Sequence, residues 1–135
     1  MALENTEFFQ TNPGVGSGLR AFPDSVQPKE FGTDSNENTL ARLTPVAYNT
    51  STNEWVVFAN GGANGTGEIQ GFVWPDEIKL DNTNEVLGNV MLSGRIHRDD
   101  IPVVSGFTQQ NLDDALAGGD IRDKGFIVEG LANFR

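Results

Sequence analysis

The chain changes texture near residue 40. Before it, apolar residues follow neither the 3.6-residue period of a helix nor the two-residue period of a strand. The stretch from Thr6 to Gly32, TEFFQTNPGVGSGLRAFPDSVQPKEFG, holds three prolines, four glycines and four phenylalanines. After Leu40, short β-branched and aromatic runs alternate with clusters of turn formers. ARLTPVAYN and EWVVFAN, separated by TSTN, predict a β-hairpin over Arg42 to Ala59. Pro45 inside the first run predicts an edge position or a bulge, because proline donates no ladder hydrogen bond. NGGANGTG, Asn60 to Gly67, reads as a flexible loop, and EIQGFVW as a third strand closed by Pro75. DEIKL extends that strand or begins a short fourth, and DNTNE, Asp81 to Glu85, is a further turn. VLGNVMLSGRIHR, Val86 to Arg98, is a longer strand with Gly88 and Gly94 as bulge or close-approach points.

One helix is predicted. Thr108 is a good N-cap, QQNLDDALA has helix-forming character, and Gly118–Gly119 ends it. Leu112, Ala115 and Leu116 give it one small apolar face at i, i+3, i+4 spacing. GFIVEG then reads as a last, buried strand. The expected fold class is mostly β (α+β): a small mixed β barrel or sandwich-like body over residues 41–135. It carries one short helix and an extended N-terminal arm over residues 1–40.

Composition narrows the function. The 19 acidic and 9 basic residues leave a formal charge of −10, which repels DNA, RNA and anionic membranes unless one face is locally basic. The densest basic pair, Arg95 and Arg98, stands beside Asp99 and Asp100, so neither nucleic acid nor membrane is an expected partner. The chain has no cysteine, which excludes disulfides and thiolate metal sites. MALENTEFFQ lacks the cationic and apolar regions of a signal peptide, and no apolar run approaches the ~18 residues of a membrane helix. The expectation is a soluble protein that works where its own cell makes it, or on a particle assembled there.

The candidate chemistry is thin. His97 in RIHRDD invites an acid–base pair with Asp99, yet His97 and Asp99 share a strand face with Arg95, where ion pairing and solvation explain them adequately. No serine, threonine or cysteine stands in a nucleophile setting such as a G-x-S-x-G elbow. GGANGTG is followed by Glu68 and a strand, where a phosphate cradle needs Lys-Ser/Thr and a helix. DNTNE lacks the turn glycine and distal glutamate of a calcium loop. Trp55 and Trp74 read as core or rim packing, or as a subunit interface. The expectation is a non-enzymatic interaction protein without cofactor or metal.

The body resembles the head decoration proteins of tailed bacteriophages, the lambda-like capsid-stabilising family. The likeness lies in an order of features covering roughly residues 40 to 131. TPVAYNTSTNEWVVF (Thr44 to Phe58) follows a Gly/Pro-rich leader, and a Gly/Thr/Asn loop comes next. IQGFVW (Ile69 to Trp74) stands where the family has a Gly-plus-apolar strand. VMLSGRIHRDDI (Val90 to Ile101) is similar to a strand, a glycine step and a polar strand with an acidic end. IRDKGFIVEGL (Ile121 to Leu131) is similar to the family's close. The resemblance implies trimers made in the host cytoplasm that bind the outer surface of the expanded icosahedral virion head at threefold or quasi-threefold sites. There they brace the shell against internal DNA pressure. It also implies an arm that is disordered in the free protein and adds a strand to the major capsid protein.

That implication explains an aromatic-bearing leader without a core. A Pro/Gly-punctuated arm cannot pair with itself, but on an exposed strand edge it supplies backbone hydrogen bonds while alternate side chains fill pockets. The expected anchors are Phe8, Phe9, Val15, Leu19, Phe22, Val26 and Phe31. Burying each phenylalanine contributes roughly 1.5–3 kcal/mol, and ordering each residue costs about 1–2 kcal/mol. One arm is therefore a weak binder, and three on a trimer multiply affinity by about 10²–10⁴. The alternatives are another virion part, such as a head–tail joining or fibre-associated protein, or a carbohydrate-binding β-module using Trp55, Trp74 and Tyr48.

Overall fold

A computed structural model describes residues 20–131. Among these residues, eight strands, two short helices and one 3-10 turn follow one another. They are β1 (Phe22–Phe31), β2 (Thr39–Leu40), β3 (Pro45–Asn49), β4 (Glu54–Val57), β5 (Gly71–Val73), β6 (Ile78–Lys79) and β7 (Val86–His97). The 3-10 turn Arg98–Asp100, α1 (Gln109–Ala117), α2 (Gly119–Asp123) and β8 (Phe126–Glu129) complete the order. The body is thus mostly β, as the alternating pattern predicts. Six strands form one mixed sheet in the order β1-β4-β3-β5-β7-β8, and a second pairing, β1 with β7, closes it on itself. Strands β2 and β6 make a separate two-stranded ribbon.

Successive residues on a strand face opposite sides, and here both sides are apolar. Phe72 and Met91 enter one cluster while their chain neighbours Val73 and Val90 enter another. The larger cluster adds Phe58, Ile96, Phe126 and Val128 to the inner residues of the helices, Leu112, Leu116 and Ile121. The smaller cluster gathers Phe31, Val46, Leu40 and Ile78, so the β2–β6 ribbon covers it. Gly88 faces the Ile78 side chain at that contact, and a Cβ there would overlap it.

Local signals explain most boundaries. The Thr108 hydroxyl accepts a hydrogen bond from the Asn111 N–H while the Asn111 side chain takes the Thr108 N–H, a reciprocal cap on α1. Gly118 ends α1, and α2 begins at once with Ile121 turned into the core. Pro45 opens β3 as its first residue, between β4 and β5 rather than at an edge or a bulge. That position leaves the missing donor outside the ladder while the Pro45 carbonyl accepts from the Phe58 N–H at 3.0 Å. Leu43 adopts a left-handed φ of +69°, unusual for a bulky residue. Its buried side chain and an N–H donated to the Val73 carbonyl at 2.6 Å hold it there.

The largest departure from the sequence pattern is β1. Residues 22–31 pair antiparallel with β7 from Phe22↔Arg95 to Phe31↔Val86, so part of the expected free arm is a strand of the protein's own sheet. No apolar alternation marks it, because Phe31 alone in β1 is buried. Backbone pairing holds the rest, with irregularities at Asp24 and at Leu92.

Candidate functional site

The seven arm positions separate into three groups. Phe8, Phe9, Val15 and Leu19 lie outside the described residues. Phe31 is fully buried in the smaller cluster, which corrects its expected role as a docking anchor: its side chain is committed to the core. Phe22 is 56% exposed and Val26 is 38% exposed, so both remain on the surface, but on a strand already paired with β7. The boundary of the arm at residue 40 is corrected with them. The segment 20–40 is held to the body by the β1–β7 ladder, and just beyond β1 by the Gly32 N–H bond to the Trp55 carbonyl at 3.3 Å.

Arg20, the first of the described residues, is tied to the far end of β7. Its guanidinium grips the Asp100 carboxylate with two bonds, Nη2 to Oδ1 at 2.6 Å and Nε to Oδ2 at 3.1 Å. Asp100 sits in the 3-10 turn that follows β7. Arg98 in the same turn holds Asp113 of α1 through Nη2 and Nε at 2.7 and 2.8 Å. Such two-pronged pairs fix orientation as well as charge. The acidic end of RIHRDD therefore ties the start of β1 and the helix to one corner.

Beside that corner lies a groove of about 380 Å³ lined by Phe22, Asp24, Gly94, Arg95, Gly125 and Ile127. The register explains it. Phe22 stands opposite Arg95, and Arg95 opposite Ile127, so three side chains from β1, β7 and β8 form a row across the sheet. The next residues, Ile96, Phe126 and Val128, turn into the core. Ile127 is 53% exposed, correcting the reading of GFIVEG as a buried strand. Its alternation with Glu129 outside is the signal for this, and the continuous apolar letters FIV hide it. Gly94 has φ +148°, and a Cβ there would lie 2.6 Å from the Phe22 carbonyl oxygen, so the strands close up only around glycine.

The other singled-out residues have local roles. His97 Nδ1 accepts the Asp99 N–H at 3.1 Å, capping the 3-10 turn, and its ring packs on Gly130. Asp81 in DNTNE accepts from the Thr83 N–H, the Thr83 hydroxyl and the Asn84 N–H, which hold its carboxyl below the usual range. Trp55 packs on the smaller cluster with Tyr48 edge-on at 5.9 Å and Lys29 at 5.5 Å over its ring. Trp74 packs on the larger cluster under Arg42. The two tryptophans thus belong to opposite sides of the sheet and do not make one stacking platform with Tyr48. Among the described residues, no helix is long and apolar enough to cross a membrane. No protein-family model matches the chain, and no curated protein matches its sequence.

Proposed function

We propose that the chain is a capsid decoration protein of the lambda-like type, binding the outside of an expanded phage head as a trimer. The observation that carries this reading is a β body to which Arg20 and the following strand are tied, with an aromatic-bearing leader earlier in the sequence. From Arg20 onward the chain is clamped and hydrogen-bonded to a β body; before it the sequence places Phe8, Phe9, Val15 and Leu19 within a Gly/Pro-rich leader. The segments that carry the family resemblance also fall on pieces of one sheet. Thr44 to Phe58 spans β3 and β4, Ile69 to Trp74 spans β5, and Val90 to Ile101 ends β7 and its turn. Ile121 to Leu131 spans β8.

In this reading the attaching segment is residues 1–19, shorter than the sequence pattern suggests. It adds a strand to the major capsid protein, and the body, braced by its own β1, transmits the load. Weak single arms summed over a trimer give the avidity. The test is co-sedimentation with expanded, undecorated shells. The full chain is expected in the pellet, and a variant lacking residues 1–19 is expected in the supernatant with an unchanged melting curve. Equal pelleting of both would overturn the leader's role. A native mass of hexamers or dodecamers in place of trimers would favour a head–tail joining part.

A further inference from the structure

We infer that a second groove, lined by β2 and β4, is a slot for one extended, uncharged segment of a partner protein, which pairs through its backbone with Thr39 and Val57. The inference goes beyond the capsid reading and does not rest on it. This groove shares no lining residue with the one beside Phe22.

The slot begins where β1 leaves the sheet. Backbone groups along a strand point alternately to its two sides. In β4 the Trp55 carbonyl turns toward β1 and accepts the Gly32 N–H at 3.3 Å. Its other side faces β3, where Val56 stands opposite Ala47 and Phe58, next after β4, donates to the Pro45 carbonyl at 3.0 Å. Val57, two residues beyond Trp55, therefore turns its N–H and C=O to the β1 side. No residue of β1 meets them, because the pairing stops at Phe31↔Trp55. After Phe31 the chain swings away through a turn. The Asp34 carboxylate accepts the N–H groups of Asn36 and Asn38 at 3.0 and 3.1 Å, and the Asp34 N–H donates to the Asp81 carbonyl at 2.8 Å.

β2 repeats the pattern. The Asn38 carbonyl accepts the Leu80 N–H at 3.0 Å on the β6 side, so Thr39, the next residue, points its N–H and C=O the opposite way. Thr39 and Val57 both line one groove of about 350 Å³. Among the described residues, neither has a backbone partner on that edge.

Two open edges on one groove define its occupant. An open edge is a template for a further strand, and an added strand takes affinity from main-chain bonds and specificity from side-chain pockets. A segment between Thr39 and Val57 pairs on both of its own edges and joins the β2–β6 ribbon to the main sheet. The remaining lining is uncharged, with Leu40 and Val104 apolar and Ser105 polar. A charged side chain there would lose water without gaining a partner, so the segment carries small or β-branched uncharged residues. Leu40 belongs to the smaller core cluster and Val104 packs on the larger, so the walls stand in place before binding. The volume falls within the roughly 300–1,000 Å³ of small ligand sites, which suits a short segment and excludes a folded element. A net charge of −10 opposes a second copy as donor, and every strand of the described residues already belongs to a sheet. The segment therefore comes from a different protein.

The test titrates the full ¹⁵N-labelled chain with acetylated and amidated pentapeptides drawn from alanine, serine, threonine and valine, at up to millimolar concentration. Shells are absent, so the outcome is independent of whether the protein binds capsids. Binding peptides are expected to shift the Thr39, Val57 and Ser105 amide resonances and to slow hydrogen exchange at Thr39 and Val57. Those of Ile96 and Val128 are expected to stay in place. The same peptides with N-methylated backbones are expected to lose the effect, as is the variant Ser105→Trp, which fills the groove from an exposed position. The inference is overturned if no peptide moves Thr39 and Val57, if N-methylated peptides act equally, or if the shifts centre on Phe22 and Ile127. Thr39 and Val57 resonances that move when the protein alone is diluted would overturn it in favour of a second copy.

Discussion

Phe31 and Phe22 bound the same strand and have opposite fates. Phe31 is sealed among Val46, Val73 and Val90, whereas Phe22 stands open to solvent. Replacing Phe31 by alanine is expected to cost about 3–5 kcal/mol, as for other large core deletions, and denaturant unfolding measures it. Phe22→Ala is expected to leave the unfolding midpoint nearly unchanged, and a large loss there would show a buried role. Titration provides a second check. Asp34, Asp81 and Asp113 are held below the ordinary carboxylate value of 3.8. Backbone N–H donors do this for Asp34 and Asp81, and Arg98 for Asp113. Each therefore stabilises the fold fully above that value, and the contribution is lost as pH falls through the lower folded values. Glu85 works in the other direction. Its carboxyl is raised above the ordinary 4.5 by a hydrogen bond with Glu54, then by that group's charge. The folded state holds this proton more tightly, so stability from Glu85 declines as pH rises from 4.5 through the raised folded value. Melting temperatures are expected to fall as pH drops below about 4, and Glu85→Gln is expected to raise the melting temperature slightly at pH 7.

At the scale of elements, the strands and the helix were legible wherever side chains decide the structure. α1 begins after Thr108 and ends before Gly118 because cap and stop residues act locally. Thr108→Ala is expected to cost about 1 kcal/mol, measured by denaturant unfolding. The length of β7 follows from its β-branched and apolar run, and Gly94 marks the close approach of β1. The strand β1 was not legible, for the same reason in reverse. Its ladder is made by backbone groups, which every sequence carries, and its side chains face solvent on both sides, so no apolar alternation records the pairing. Pro23 and Pro28 read as strand breakers, yet both sit inside it; β1 contacts β4 only near Phe31, and edges tolerate proline. Hydrogen exchange gives the decisive comparison: amides of Lys29 to Phe31 are expected to be protected in the isolated protein. Exchange there as fast as in an unfolded peptide would remove β1 from the sheet. The groove was equally hidden, because Phe22, Arg95 and Ile127 are brought together by register across three strands far apart in the chain.

For the whole molecule, two apolar clusters on opposite sides of one closed sheet make a stiff block, and the groove and the Arg20 clamp lie together at one corner of it. A block of this kind is compatible with the proposed role as a brace. A net charge of −10 disfavours non-specific association of copies. The direct measurement is electron imaging of expanded, undecorated phage heads mixed with the full chain. Decoration of the head predicts added density in threes at threefold or quasi-threefold positions on the outer surface, with a connection running from each body into the capsid layer. Shells that stay bare at saturating protein would contradict it.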